Sequence, residues 1–458
     1  MNRGSLSFEN SKDITLSRIL LRGCGGLHAS TTGSQFRYPH IQFFSAVFLV
    51  YCKNIVIDNC GIVESPGIGL NMYDVGGDVR ISHSRFESNR AINSIEKDIA
   101  IAGGGVYMEF TYRGGKSPFD LNSTVLAEFD SNSTYTFYNC TFRNNYAPRQ
   151  HRETIVDEMT GDDHIPFGRG GGLNNSAHFA GGAIRSGTTA ESSNRQWILP
   201  NLMKYEDCRF ESNNAILGGA VSYYEWKSSL NGDGDTLHIE YKNCHWYNNA
   251  ATMGSAIGVA TKPAINGLAD PARGPKLYVI VLEDCYFSNN SIILTEDRQV
   301  IGQGAIYSYS LPIIFKGVVN IEYNNNTAMV VENTAIHVLG TVTFRNNTGG
   351  QGGALGLYGT SVIMLMPHSK LNFFNNTAHE RGGAIYVRDS GPPVVAYNTT
   401  ELKTRQCFIA YNNSFSLENV TEWQTKIVFK GNRVLDNGGG DSVFASTLRD
   451  AVKMGSPA

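Results

Sequence analysis

One phrase recurs along this chain with small variations. It reads CRFESNNAILGGAV from residue 208, CTFRNNYA from 140, CHWYNNAATMGSAI from 244 and CYFSNNS from 285. Related versions are RFESNRA from 85, FRNNTGGQGGALGL from 344 and FFNNTAHERGGAIYV from 373. A catalytic motif is normally written once per active site, whereas a phrase repeated throughout a chain marks stacked structural units. The repetition therefore specifies architecture before it specifies chemistry.

Aligned on that phrase, one column reads Ile19, Cys60, Ser84, Cys140, Cys208, Cys244, Cys285, Ile321, Val342, Leu371 and Ile427. Two residues later stands a mostly aromatic column: Leu21, Ile62, Phe86, Phe142, Phe210, Trp246, Phe287, Tyr323, Phe344, Phe373 and Phe429. A spacing of two puts both columns on one face of a strand. Three residues further comes an asparagine column: Asn89, Asn145, Asn213, Asn249, Asn290, Asn326, Asn347, Asn376 and Asn432, with Cys24 and Ser65 in the first two repeats. Asparagine at a fixed offset after a strand marks a turn, because it tolerates left-handed backbone angles and bonds nearby backbone. Stacked in register, such amides form a hydrogen-bonded ladder.

A Gly-Gly-Ala trio then opens the next strand, at Gly181, Gly218, Gly352 and Gly382, where backbone must turn sharply and approach the next layer. Intervals along the first column run from about 21 residues to 68, so a short coil of that minimum length accepts long insertions. This fits a coil of a parallel β-helix and neither a propeller blade nor a leucine-rich repeat. The expected fold is all-β, a solenoid of about eleven recognisable coils with long loop insertions. It forms one domain over residues 1–445, with its longest insertion at 146–180 and a tail at 446–458.

Composition agrees and removes several function classes. Charged residues are 17% and there are 49 glycines, which suits tight turns between strands better than amphipathic helices. The net charge of −3 gives no electrostatic footprint for nucleic acid. The longest apolar run, IQFFSAVFLVYC at 41–52, is too short for a membrane-spanning helix and is read as a buried strand. The N-terminus has no apolar signal core, and Ile14 and Leu16 already alternate as in a strand. The chain is therefore expected to be a fragment or internal segment that starts within the repeats.

The paired G-G-A-[ILV] and F-x-x-N phrases resemble those of the chlamydial polymorphic outer-membrane proteins, over roughly residues 85 to 435. The stretches FGRGGGL (167–173), NIVIDNCGI (54–62) and NGGGDSVFA (437–445) are similar to large animal secreted β-helix proteins of unassigned activity. Both resemblances imply a right-handed, pectin-lyase-like β-helix. The chlamydial one implies a surface adhesin. The resemblance covers the repeats and does not extend to a C-terminal β-barrel transporter, so autotransport is not among the expectations it carries.

Candidate sites follow. Cys140, Cys208, Cys244 and Cys285 share a column with Ile, Val and Leu, which predicts buried free thiols behaving as small apolar groups. Cys24, Cys52 and Cys407 lie outside it and have the option of pairing. Sequons occur at Asn122, Asn132, Asn139, Asn174, Asn289, Asn325, Asn346, Asn375, Asn398, Asn412 and Asn419. Of these, Asn289, Asn325, Asn346 and Asn375 precede a ladder asparagine and are expected to face solvent as N-glycosylation sites. The insertion holds Asp157, Glu158, Asp162, Asp163 and His164, read as a solvated acidic loop or a binding loop. The alternative is a polysaccharide lyase or pectinase-type hydrolase using paired carboxylates. The G-H-G and R-I-K phrases of polygalacturonases are absent. No metal or cofactor is expected: NGDGD at 231–235 lacks the rest of a calcium loop, and GRGGG at 168–172 lacks the Lys-Ser/Thr of a phosphate loop.

The preferred reading is a non-enzymatic extracellular or cell-surface scaffold. Its long side would bind a protein or glycan, with the loops at 106–135, 146–180, 222–236 and 386–425 as contacts and its end coils open to self-association.

Overall fold

The computed structural model describes residues 5–25, 45–90, 104–110, 133–146, 182–188, 200, 202–215, 217–224, 238–260, 279–293, 304–309, 311–359, 361–366, 368–388, 409–411, 427–436 and 439–445. Among them there is no helix. The strands form three long sheets. The first has 12 strands, from Leu6–Glu9 to Val443–Ala445; the second has 11, from Lys12–Ser17 to Ile409–Tyr411. The third also has 11, from Leu20–Arg22 to Ile427–Lys430. The chain visits the three long sheets in rotation, and each of their strands pairs in parallel with its counterpart one coil on; between the third and first sheets, some coils add a short strand to a two- or three-stranded sheet. This is a parallel β-helix.

Alternation decides which side chains fill it. In His238–Lys242, Ile239 and Tyr241 are fully buried while Lys242 is exposed. In the third sheet the inward aromatic rings stack from rung to rung. Phe86 and Phe142 are 5.0 Å apart at 6°, Phe142 and Phe210 5.0 Å at 7°, and Trp246 and Phe287 4.2 Å at 4°. A second stack runs through Phe137, Tyr205 and Tyr241 in the second sheet. Burying each such ring contributes about 1.5–3 kcal/mol, and the ring–ring geometry adds roughly 1 kcal/mol. The first sheet is buried on both faces: Ser45–Val50, inside the apolar run 41–52, has no exposed residue, as expected of a buried strand.

The corners are set by left-handed residues. Asn139 (φ 48°), Asp207 (55°), Asn243 (50°) and Asp284 (52°) turn the chain from the second sheet into the third. Asn144 (53°), Ser212 (54°), Asn248 (56°) and Asn289 (54°) turn it out again. The expectation that the ladder asparagine itself takes the left-handed angle is corrected: the residue before it does, which frees the next amide to point inward. At the following corner Gly218 has φ 62°, and a Cβ on Gly219 would sit 2.5 Å from the Ala250 carbonyl oxygen of the next coil. No side chain fits there.

One repeat is registered differently from the sequence alignment. Ile321, not Tyr323, pairs with Phe287 and Phe344, so Val319 stands in the cysteine column. Tyr323 is instead the left-handed corner residue at φ 57° and is 51% exposed. The short coil from Asn324 to Asn347 accordingly spans 23 residues.

Candidate functional site

The asparagine column is a continuous ladder. It runs through Asn89, Asn145, Asn213, Asn249, Asn290, Asn324, Asn347, Asn376 and Asn432, all buried. At each rung before Asn432, Nδ2 donates to the next asparagine Oδ1 and to a backbone carbonyl of the preceding coil; Asn432 Nδ2 donates to the Phe373 carbonyl. For Asn213 these bonds are 3.0 Å to Asn249 and 3.0 Å to the Phe142 oxygen. The backbone N–H of Asn213 also reaches Asn249 Oδ1, at 3.0 Å. Two donors and two accepted bonds use the amide completely. Asn326, expected on the ladder, is off it. Asn324 takes the place, bonded from Asn290 at 3.0 Å and to Asn347 at 2.9 Å. Asn326 bonds Ser255 Oγ instead.

The cysteines stack as the columns require: the N–H groups of Arg209, His245 and Tyr286 bond the carbonyls of Cys140, Cys208 and Cys244. All are free, and their thiols reach backbone carbonyls, as Cys208 does to Phe137 and Glu206. Burial pushes the Cys285 thiol up to about 12 and those of Cys140 and Cys208 well above their ordinary value. These positions are packing, not nucleophiles. Cys24 and Cys52 are also free, so a bond between them is excluded in this structure, and Cys407 lies outside the described residues.

Of the sequons, Asn139, Asn289, Asn325 and Asn375 are exposed and Asn346 is half-buried. Asn325 follows its ladder residue instead of preceding it, a consequence of the same register change. Asn122, Asn132, Asn174, Asn398, Asn412 and Asn419 lie outside the described residues. So do Asp157, Glu158, Asp162, Asp163 and His164, and most of the four loops read as contacts. Among the described residues no three His, Cys, Asp or Glu side chains gather as a metal site would need.

What the structure does assemble is a groove of about 590 Å³ at the corner between the second and third sheets. Its walls come from four coils: Arg18 and Leu20, Asn59 and Gly61, His83 and Arg85, Asn139 and Thr141. The left-handed corner positions place Arg18 (φ 56°), Asn59 (52°), His83 (47°) and Asn139 side by side. Gly61 forms the floor: a Cβ there would lie 2.8 Å from Leu20 Cδ1 and 3.1 Å from Arg85 Nε. His83 Nδ1 is 3.0 Å from Asp58 Oδ1, and Ser82 donates to the same oxygen at 2.7 Å. The His83 bond, then the Ser82 bond, hold the Asp58 carboxyl below its ordinary value. No carboxylate lines the groove, so the acid pair of a glycoside hydrolase is not present in it. Sequence reasoning missed this groove because its residues share no motif and meet only through stacking.

Residues 370–388 match the Chlamydia polymorphic membrane protein repeat. They make up part of one coil, from the third-sheet strand Lys370–Phe374 through Gly382-Gly383-Ala384 to the first-sheet strand Ile385–Arg388. Over 133 residues, 29% of the chain, it is 32% identical to "Probable outer membrane protein PmpF" of Chlamydia muridarum (strain MoPn / Nigg). The match spans 11% of that relative's length. No solved structure matches the chain. Among the described residues no helix is long and apolar enough to cross a membrane.

Proposed function

We propose that this chain is a cell-surface binding scaffold: a rod whose repeated interior holds its outer rows in fixed register for an extracellular protein or glycan. The observation that carries the reading is the unbroken amide ladder from Asn89 to Asn432, which uses the repeated residues for structure and leaves the outward positions free to vary. The polymorphic membrane protein repeat and the outer-membrane relative support display at a surface. A rod of this kind works by many weak contacts in register, since each rung adds another row about 4.8 Å away.

The test is adhesion. Beads coated with the folded chain should attach to cultured epithelial cells above the level of beads coated with the heat-denatured chain, and soluble chain should compete. Equal attachment of the two would refute the scaffold reading. The hydrolase alternative is tested separately, by release of reducing ends or unsaturated products from uronate polymers.

A further inference from the structure

The outer face of the third sheet carries two adjacent rows of different character. In one, charge is neutralised between coils: Arg143 Nε lies 2.9 Å from Glu211 on the next rung, and Arg22 donates twice, both at 2.8 Å, to Glu64, the corner residue beside its rung partner Val63. The row beside it contains Arg85, Thr141, Arg209, His245 and Tyr286, placed one rung apart by strand register. It continues into Asn320 and carries no acidic residue. No carboxylate among the described residues forms an ion pair with Arg18 or Arg209, and the nearest to Arg85 is Glu87 at 3.9 Å. The groove over Gly61 opens at one end of this row.

We propose that the groove and row bind an anionic glycan, laid along the rod axis with a carboxylate or sulfate held by Arg85 and Arg18. The inference rests on the scaffold reading and names its ligand class. Arg85, whose ion pair with Glu87 is long at 3.9 Å, and Arg18, which acts on Asp58 through its charge without a direct ion pair, keep donors to offer and match the fork geometry of carboxylate and sulfate. The amides of Asn59 and Asn139 and the hydroxyl of Thr141 offer donors and acceptors of the kind sugar hydroxyls need. Leu20, 58% exposed, gives an apolar wall for a ring face. Arg85 and Arg209 stand two rungs apart, roughly 10 Å, so a linear polymer with repeated charges engages both. A peptide is disfavoured because strands on both sides already use the third sheet's hydrogen bonds, leaving no edge for an added strand.

The experiment is a glycan array probed with the full chain. Its arms are sialylated, uronate-bearing and sulfated glycans, the matched neutral glycans, and an acidic polypeptide as competitor. The expected result is binding to at least one acidic arm, none to its neutral match, and weakening with added salt. Arg85→Ala and Arg18→Ala should each weaken it about tenfold or more. Gly61→Val should abolish it with an unchanged unfolding profile, because its contacts are the free ends of Leu20 and Arg85. Acidic-glycan binding that survives both Arg85→Ala and Gly61→Val overturns the site, and equal capture of the acidic polypeptide overturns the ligand class. If cells are bound but no acidic glycan is, this inference falls and the scaffold reading stands; loss of cell binding as well refutes both.

Discussion

Replacing Asn249 with alanine removes one amide from the middle of the ladder, and the structure fixes what is lost. Asn249 Nδ2 no longer donates to the Phe210 carbonyl at 2.9 Å or to Asn290 Oδ1 at 3.0 Å. Its Oδ1 no longer accepts from the Asn213 N–H and Nδ2, both at 3.0 Å. Asn290 Oδ1 keeps the Asn249 backbone N–H, and Asn213 Nδ2 keeps the Phe142 carbonyl. The Asn213 N–H loses its partner, whereas the Phe210 carbonyl stays within a strand paired to the next coil and loses one of its accepted bonds. Stranding a buried backbone group costs about 1–3 kcal/mol, so the substitution should destabilise this region by roughly 1–3 kcal/mol. Because coils couple mainly to their neighbours, the loss should be local. Amide hydrogen exchange is therefore the assay, with urea unfolding followed by the fluorescence of buried Trp246 as the global readout. Exchange should accelerate in the rungs around Asn213, Asn249 and Asn290 and remain unchanged near Asn376. A change below about 0.5 kcal/mol in those rungs would show that the ladder does not hold the corner, and the structural reading of the repeat would fail.

Three further outcomes follow from the same geometry. Glu332 is 7% exposed on the outer side of the first sheet between Tyr309 and Tyr358, and burial raises its carboxyl to about 7. The native state thus binds the proton more tightly than the unfolded chain. Glu332's contribution should be most favourable below its ordinary value near 4.5 and fall as pH rises through 7; Glu332→Gln should remove that slope and stabilise by up to ~3 kcal/mol at pH 8, read by urea midpoints. The thiols of Cys140, Cys208, Cys244 and Cys285 should resist a thiol reagent until the chain unfolds, and Cys208→Val should cost less than about 1.5 kcal/mol because the column already accepts aliphatic side chains. Gly219→Ala should lower the thermal midpoint more than Gly350→Ala, since the first Cβ meets the Ala250 backbone and the second meets nothing within 4 Å.

The all-β class, the inward columns and most ladder positions were legible because each depends on alternation and fixed offsets. The misreading at Ile321 shows the limit. A strand moved by one residue turns its apolar set outward, and the pattern exposes the error; a slip of two keeps every side chain on its own face. With Tyr323 two residues beyond Ile321 and three consecutive asparagines following, both registers satisfy the periodicity. The pairing of Ile321 with Phe287 and Phe344 decides between them, through ring-sized space that only the neighbouring rungs define. The acidic residues 157–164 drew attention in the sequence because they are close in the chain. Arg18 and Arg85 did not, because they are far apart in it.

By itself, the sequence determined that this protein would be a stack: its repeated residues satisfy the buried hydrogen bonds and fill the core wherever the coils fall. Only the tertiary structure decided what the stack presents. Insertions of unequal length separate the coils, so which outward side chains become neighbours is set by the rung-to-rung hydrogen bonds. Those bonds carry Arg18, Gly61, His83, Arg85 and Asn139 to one groove.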